Sequence, residues 1–223
     1  MTTAAGLDER VKVWDRFVRL AHWALVAAFT VAFLTEDDAL SLHVWAGYVV
    51  GGIIVLRVVW GFIGPEHARF SNFLYRPGVV IGYLLALLRL RARRYVGHSP
   101  AGGVMIIVLL AALAGTTGTG IWLYGVTDGR GPLAGLATPT EPAMPMQSEQ
   151  REIDADEDGD DRDDRRNTRN GDSHEDSALK ELHELLANLT LLLIILHVGG
   201  VMLASFAHRE NLPRAMITGT KRR

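Results

Sequence analysis

The sequence predicts an all-α protein: a transmembrane four-helix bundle with both termini cytoplasmic and a short interfacial helix before the third span. Three observations carry this. Four apolar stretches each approach the roughly 20 residues that cross a hydrocarbon core of about 30 Å at about 1.5 Å per residue. Lysine and arginine gather in the lead-in, in the segment between the second and third stretches, and in the tail, whereas Thr35 to Ser41 has none, which places the former segments inside. Histidines in the first, second and fourth stretches fall at matching depths.

Composition narrows the chemistry. The 223 residues include no cysteine. Disulfides, thiolate metal sites, iron–sulfur clusters and covalent c-type haem attachment are therefore excluded. The net charge of −2 averages greasy and densely charged regions, and no feature points to a nucleic-acid partner. No signal peptide is expected, because charged residues between Asp8 and Arg19 precede the first apolar stretch and no small-residue cleavage pattern follows it.

In chain order, Met1 to Gly6 is expected to be disordered. Val11 to Arg19 is a basic amphipathic lead-in, with Trp14 suited to the headgroup level. Leu20 to Leu34 completes the first span, and Glu36-Asp37-Asp38 ends it. The second span runs from near Leu42 to Ile63; it carries His43 and Arg57, and its Gly47 and Gly51 permit close approach of a helix or a flat ligand. Gly64-Pro65 closes it. Pro77 to Arg94 reads as a short helix with a greasy body, Val79 to Leu88, and a basic end, the pattern of an interfacial segment. Gly103 to Tyr124 is the third span, with Gly115, Gly118 and Gly120 on a close-packed face. These spans make a first region, residues 10–125. Residues 126–178 form an acidic outer segment whose low hydropathy and dense charge predict disorder. Residues 179–218 hold the fourth span and a basic tail.

The fourth span carries His183 and His197, 14 residues apart. At about 100° per residue both leave nearly one helix face, roughly 21 Å apart along the axis. With both termini inside, His22 and His197 lie near the cytoplasmic surface, and His43 and His183 near the outer one. A lone histidine in a span is more often an interhelical hydrogen-bond partner; four at paired depths fit axial ligation of two b-type haems. Arg57 lies 14 residues after His43, at the level of the inner pair. A buried arginine requires an anion, so Arg57 together with Arg19 is expected to contact haem propionates. His67, His98, His174 and His208 lack such placement and are expected to be solvated or capping. Asp154-x-Asp156-x-Asp158-Gly159 opens like a calcium loop, but Asp161 and Arg165 break the pattern.

Arg19-x-x-His22-Trp23, His43-x-x-x-Gly47, Arg57-x-x-Trp60-Gly61-Phe62-x-Gly64 followed by Ala68-Arg69-Phe70, and His183 with His197 together resemble the bacterial cytochrome b561 and nickel-hydrogenase cytochrome b family. The resemblance covers roughly residues 10–125 and 179–218. It implies a four-helix membrane core in the bacterial inner membrane, holding two haem b groups through His22, His43, His183 and His197. The acidic insertion lies outside the family pattern.

Two imidazole ligands leave an iron no open position, which favours electron transfer over oxygen chemistry. The expected function is a conduit between an outer-face redox partner and the membrane quinone pool. The family includes hydrogenase membrane subunits and members that work with soluble cytochromes c; the acidic segment favours a basic partner such as a periplasmic cytochrome c. Two other classes stay open: an anchor subunit of a hydrogenase or other oxidoreductase, and a proton or metal transporter that uses histidines as relays. Direction of electron flow and association as a homodimer are also left open by the sequence.

Overall fold

A computed structural model of the chain describes residues 10–36, 39–135 and 161–222, with the backbone path alone at Arg10, at 161–176 and at Arg222. It is all-α apart from one short sheet. In order come β1 (Arg10–Lys12), α1 (Arg16–Leu34), α2 (Leu40–Ile63), two 3-10 turns (Glu66–Ala68 and Phe70–Asn72), α3 (Pro77–Leu88), α4 (Pro100–Asp128), α5 (Asp161–His208), α6 (Leu212–Thr218) and β2 (Thr220–Arg222). Four described helices are long and apolar enough to cross a membrane: α1, α2, α4 and the Ser177–His208 part of α5. They expose large apolar side chains such as Leu20, Val55, Phe62, Leu192 and Phe206, the surface that lipid rather than water tolerates.

The chain divides into two compact units, residues 1–117 with 186–223, and residues 118–185. In the first unit, the short connection after Leu34 makes α1 and α2 antiparallel neighbours. Their contacts fix the register at both ends. The Phe17 and Trp60 rings pack with centroids 4.7 Å apart, and Trp60 Nε1 donates to Asp15 Oδ2 at 3.4 Å. At the other end, His43 Nδ1 lies 2.8 Å from the Ala32 carbonyl oxygen. Between them Val50, Ile54 and Leu113 form a buried core, against which Leu25, Ala28, Phe29 and Leu110 pack. Thr116 and Thr190 bring α4 and α5 together, their hydroxyls 3.1 Å apart and Thr190 fully buried. A polar contact of this kind joins helices where lipid offers no hydrophobic drive.

Helix ends follow local chemistry. Asp15 caps α1 by accepting from Val18 N at 2.9 Å, so the expected lead-in splits into a strand and the helix's first turn. α3 stops at Leu88, and Leu90 turns with φ 56°; the basic end expected to continue it is irregular. Arg209, at φ 51°, ends α5 and lets α6 begin at the Asn211 cap, which accepts from Arg214 N at 2.8 Å. The tail then returns to the start of the chain. β2 pairs antiparallel with β1, Val11 opposite Lys221, and the Gly219 carbonyl accepts from Val13 N at 2.9 Å and Trp14 N at 3.1 Å. Gly219 sits at φ +83°, where an added Cβ would lie 2.8 Å from Arg19 Nη1 and 2.9 Å from the Trp14 carbonyl, so glycine is required there.

In the second unit, Gly125 is buried beneath the Leu133–Ala134 backbone, and Lys180 pairs with Glu184 one turn on, at 3.8 Å. Helical backbone starts at Asp161, well before Leu179, where the fourth span was expected to begin. Aspartates at 161, 163 and 164 are the residue type that suits a helix N-terminus, and extending an existing helix costs less than nucleating one. The start of the acidic segment through Gly135 is described as the end of α4 and a turn; residues 136–160, including the calcium-like opening at Asp154–Gly159, lie outside the described residues, as do Met1 to Gly6 and the side chain of His174.

One expectation needs correction. His98 is not a solvated loop histidine. Its ring is packed 4.5 Å from the centroids of both Trp14 and Phe73. Burial, reinforced by the positive charges of Arg57 and Lys221 and by His67, pushes its pKa down to about 3. His208 is also partnered, its Nε2 3.4 Å from Tyr83 Oη.

The folded His98 stays neutral while the unfolded chain protonates it near pH 6.5. The unfolded state therefore gains protons first as pH falls, and stability is lost from about pH 6.5 downward toward 3. In detergent, His98→Phe is expected to keep the aromatic packing and flatten this decline; parallel melting curves for variant and parent between pH 7 and 4 would contradict it. Gly103→Ala places a methyl 2.3 Å from the Phe73 carbonyl oxygen and should destabilise by about 1–3 kcal/mol. Gly82→Ala in α3 meets nothing within 4 Å and should be neutral or gain up to about 1 kcal/mol, both measured by thermal unfolding.

Candidate functional site

The site is built at the end of the first unit where α1 begins and α2 finishes. His22 stands on the second turn of α1, and His197 comes from α5. Each imidazole is partly buried, and they are close enough for the charge of one to act on the other. Arg19, one turn before His22, donates from Nη1 to the Thr218 carbonyl at 3.2 Å. Its Nε is buried without a hydrogen-bond partner among the described residues. Arg57 is 8% exposed, low enough that water cannot solvate its charge. Its guanidinium carbon lies 5.2 Å from the Phe70 ring centroid, a cation–π contact, and the Asp15 carboxylate is within electrostatic reach. Asp15 is already divided between the α1 cap and Trp60. Arg57 Nη1 has no hydrogen-bond partner among the described residues, and neither has His22 Nδ1.

The sequence pattern around Arg57 resolves into one packing unit. An added Cβ at Gly61 would fall 2.1 Å from the Phe70 ring, so only glycine lets Phe70 slide under Arg57. Arg69 Nε donates to the Gly64 carbonyl at 2.7 Å and holds the turn that delivers Phe70. Phe70 in turn packs edge-on against Phe62 and Phe73. Together these residues set a rigid aromatic bed under the guanidinium.

Of the sequence-predicted residues, His22 and His197 are brought together, and Arg19 and Arg57 stand at their end of the α1–α2 pair. His43 stands at the opposite end of that pair. Its Nδ1 is engaged by the Ala32 carbonyl, an acceptor only, so Nδ1 carries the proton and Nε2 the lone pair. His183 belongs to the second unit, where its Nδ1 lies 3.1 Å from Thr119 Oγ1. Thr119 was not singled out in the sequence; it sits inside the Gly-Thr run 115–120, which reads only as a small-residue packing face. Asp15 and Trp60 were also missed as partners, since cap and ring are joined across 45 positions.

A haem b group suits this donor set. It offers iron to two imidazoles and carboxylates to arginines. The buried, unpartnered atoms of His22, Arg19 and Arg57 are of the two kinds it would satisfy. Unpaired buried polar atoms cost about 1–3 kcal/mol each, more for charged groups, and a ligand that paired them would recover that cost.

No curated protein and no solved structure matches the chain. The family model described as prokaryotic cytochrome b561 matches residues 13–219, nearly the whole of it. The chain therefore belongs to the prokaryotic cytochrome b561 family, bacterial membrane proteins that transfer electrons through haem b.

Proposed function

We propose that this protein is a di-haem conduit of the inner membrane, exchanging electrons between a redox partner at the outer face and the quinone pool. The observation that carries the reading is the trio of buried atoms without partners, His22 Nδ1, Arg19 Nε and Arg57 Nη1, gathered at one end of the α1–α2 pair. His22 and His197 hold the inner haem, and Arg19 and Arg57 hold its propionates. On the depth argument from sequence and on the family resemblance, His43 and His183 hold the outer one. Basic lead-in, linker and tail place both termini in the cytoplasm. α3, too short to span and apolar on its exposed side at Ile81, Leu85 and Leu88, lies at the lipid interface.

Haem b held by two imidazoles would supply a one-electron iron couple, which suits electron transfer rather than oxygen chemistry. The protein's residues do the rest. Buried imidazoles fix the ligand geometry and exclude water from it. Arg57 and Arg19 place positive charge beside the inner site and favour its reduced state. The acidic segment 126–178 steers a basic partner, such as a c-type cytochrome, to the outer face.

Reduced-minus-oxidised spectra of the purified protein should show b-type bands with about two haems per chain; a colourless, folded protein overturns the conduit. Alanine at His22 or His197 should remove one signal, and alanine at His43 or His183 the other. Loss in any other combination breaks the pairing. Arg57→Leu should weaken inner-haem retention or lower its midpoint potential, by about 59 mV for a tenfold change in the reduction equilibrium. Unchanged spectra and titration would refute the role of Arg57.

A further inference from the structure

We propose that Thr119 is the positioning residue of His183, holding its orientation from the neighbouring helix. This rests on the reading of His183 as a haem ligand. Thr119 Oγ1 lies 3.1 Å from His183 Nδ1. The next residue, Gly120, has the same ring against its backbone: an added Cβ would stand 2.8 Å from Cε1, 3.3 Å from Nδ1 and 3.6 Å from Nε2. The imidazole is thus held at two places, by a hydroxyl at Nδ1 and by bare backbone along its edge. No residue larger than glycine leaves the ring where it is.

A neutral imidazole has one N–H and one lone pair. A hydroxyl can accept or donate; with iron held at Nε2, the proton would stand on Nδ1 and the Thr119 oxygen would accept it. Accepting that bond also makes the ring a stronger electron donor, which favours the oxidised iron. The other histidines are treated differently. His43 Nδ1 has a backbone carbonyl, Ala32, for the same purpose, and no side-chain substitution removes that. His22 is placed with His197, at the opposite end of the α1–α2 pair from His43. A change at Thr119 therefore acts on one haem alone, and Thr119 is the side-chain lever by which this sequence tunes it.

The test uses the full-length, haem-loaded protein in detergent, with the potential of each b-type signal read by redox titration and ligand geometry by low-spin electron paramagnetic resonance. Signals are assigned by which is missing in His183→Ala and which in His22→Ala. Thr119→Val keeps the side-chain shape and removes the acceptor. It should shift the His183-dependent couple toward the reduced form about tenfold, about 59 mV upward for one electron, and leave the His22-dependent couple in place. Thr119→Ser should restore the parent value. Gly120→Ala should displace the ring and lose that haem selectively. The proposal is overturned if Thr119→Val moves neither couple or moves the other one, or if serine fails to rescue. A parent protein without haem, or a His183→Ala protein that loses neither signal or both, breaks the ligand assignment itself, and the proposal falls with it.

Discussion

A guanidinium inside a membrane-spanning helix is the constraint from which the rest follows. Arg57 is 8% exposed, and moving an isolated charge into so poor a dielectric costs several kcal/mol even after relaxation. The protein offsets part of this with the Phe70 ring and the field of Asp15. It does not complete the compensation, because Asp15 is committed to Val18 N and Trp60 Nε1. The remaining donor, Nη1, has no hydrogen-bond partner among the described residues. Under the proposed function, the two carboxylates and the iron of a b-type haem would answer the arginines and the histidines together. The fold around this end, from the glycine under Phe70 to the capped start of α1, holds the charge in place.

The same logic explains why the two ends of the sequence meet. The strand pair joins residues 10–12 to residues 220–222, and the carbonyls of Thr218 and Gly219 take up Arg19 Nη1 and the backbone of Val13 and Trp14. The family match runs from residue 13 to residue 219, the two residues joined by the Val13–Gly219 hydrogen bond of 2.9 Å. Lys221 extends the closure, lying 5.6 Å from the Trp14 ring centroid and 3.5 Å from the Gly97 carbonyl, while Arg94 pairs with Glu210. The tail is thus part of the wall behind Arg19 rather than a loose basic appendage. It removes polar groups near the membrane surface from competition for water, and it leaves Arg19 Nε as the arginine's one buried unpartnered atom.

The spans were legible because their signal is collective. Some twenty apolar residues in succession leave few alternatives, and the second span came within two residues of its described start at Leu40. The histidines were legible because each stands out against such a background, and counting along a helix gives depth directly. What sequence could not show was pairing across distance. Trp14 and Phe73 enclose His98 although 84 and 25 positions separate them from it; nothing local distinguishes that histidine from a loop one. Thr119 was hidden for a different reason. Threonine in a span usually bonds its own helix, as Thr116 does with the Ala112 carbonyl at 3.0 Å, and only the position of His183 gives Thr119 another role. The helical start at Asp161 was masked by charge density, which reads as disorder when the neighbouring span's ability to propagate a helix is left out.

Histidines alone would not decide between a haem protein and a relay of hydrogen-bonding groups. His43, with its Nδ1 settled on a carbonyl, is compatible with either, since an interhelical contact and a ligand supported from behind look the same at that nitrogen. His22 differs. A relay histidine passes protons between partners and so keeps partners on hand, whereas His22 Nδ1 is buried with none among the described residues, with a second imidazole nearby and two arginines at the same helix end. In a chain with no thiol or covalent haem motif, that combination is what the proposed function reads as a haem b site, with iron for the imidazoles and propionates for the arginines.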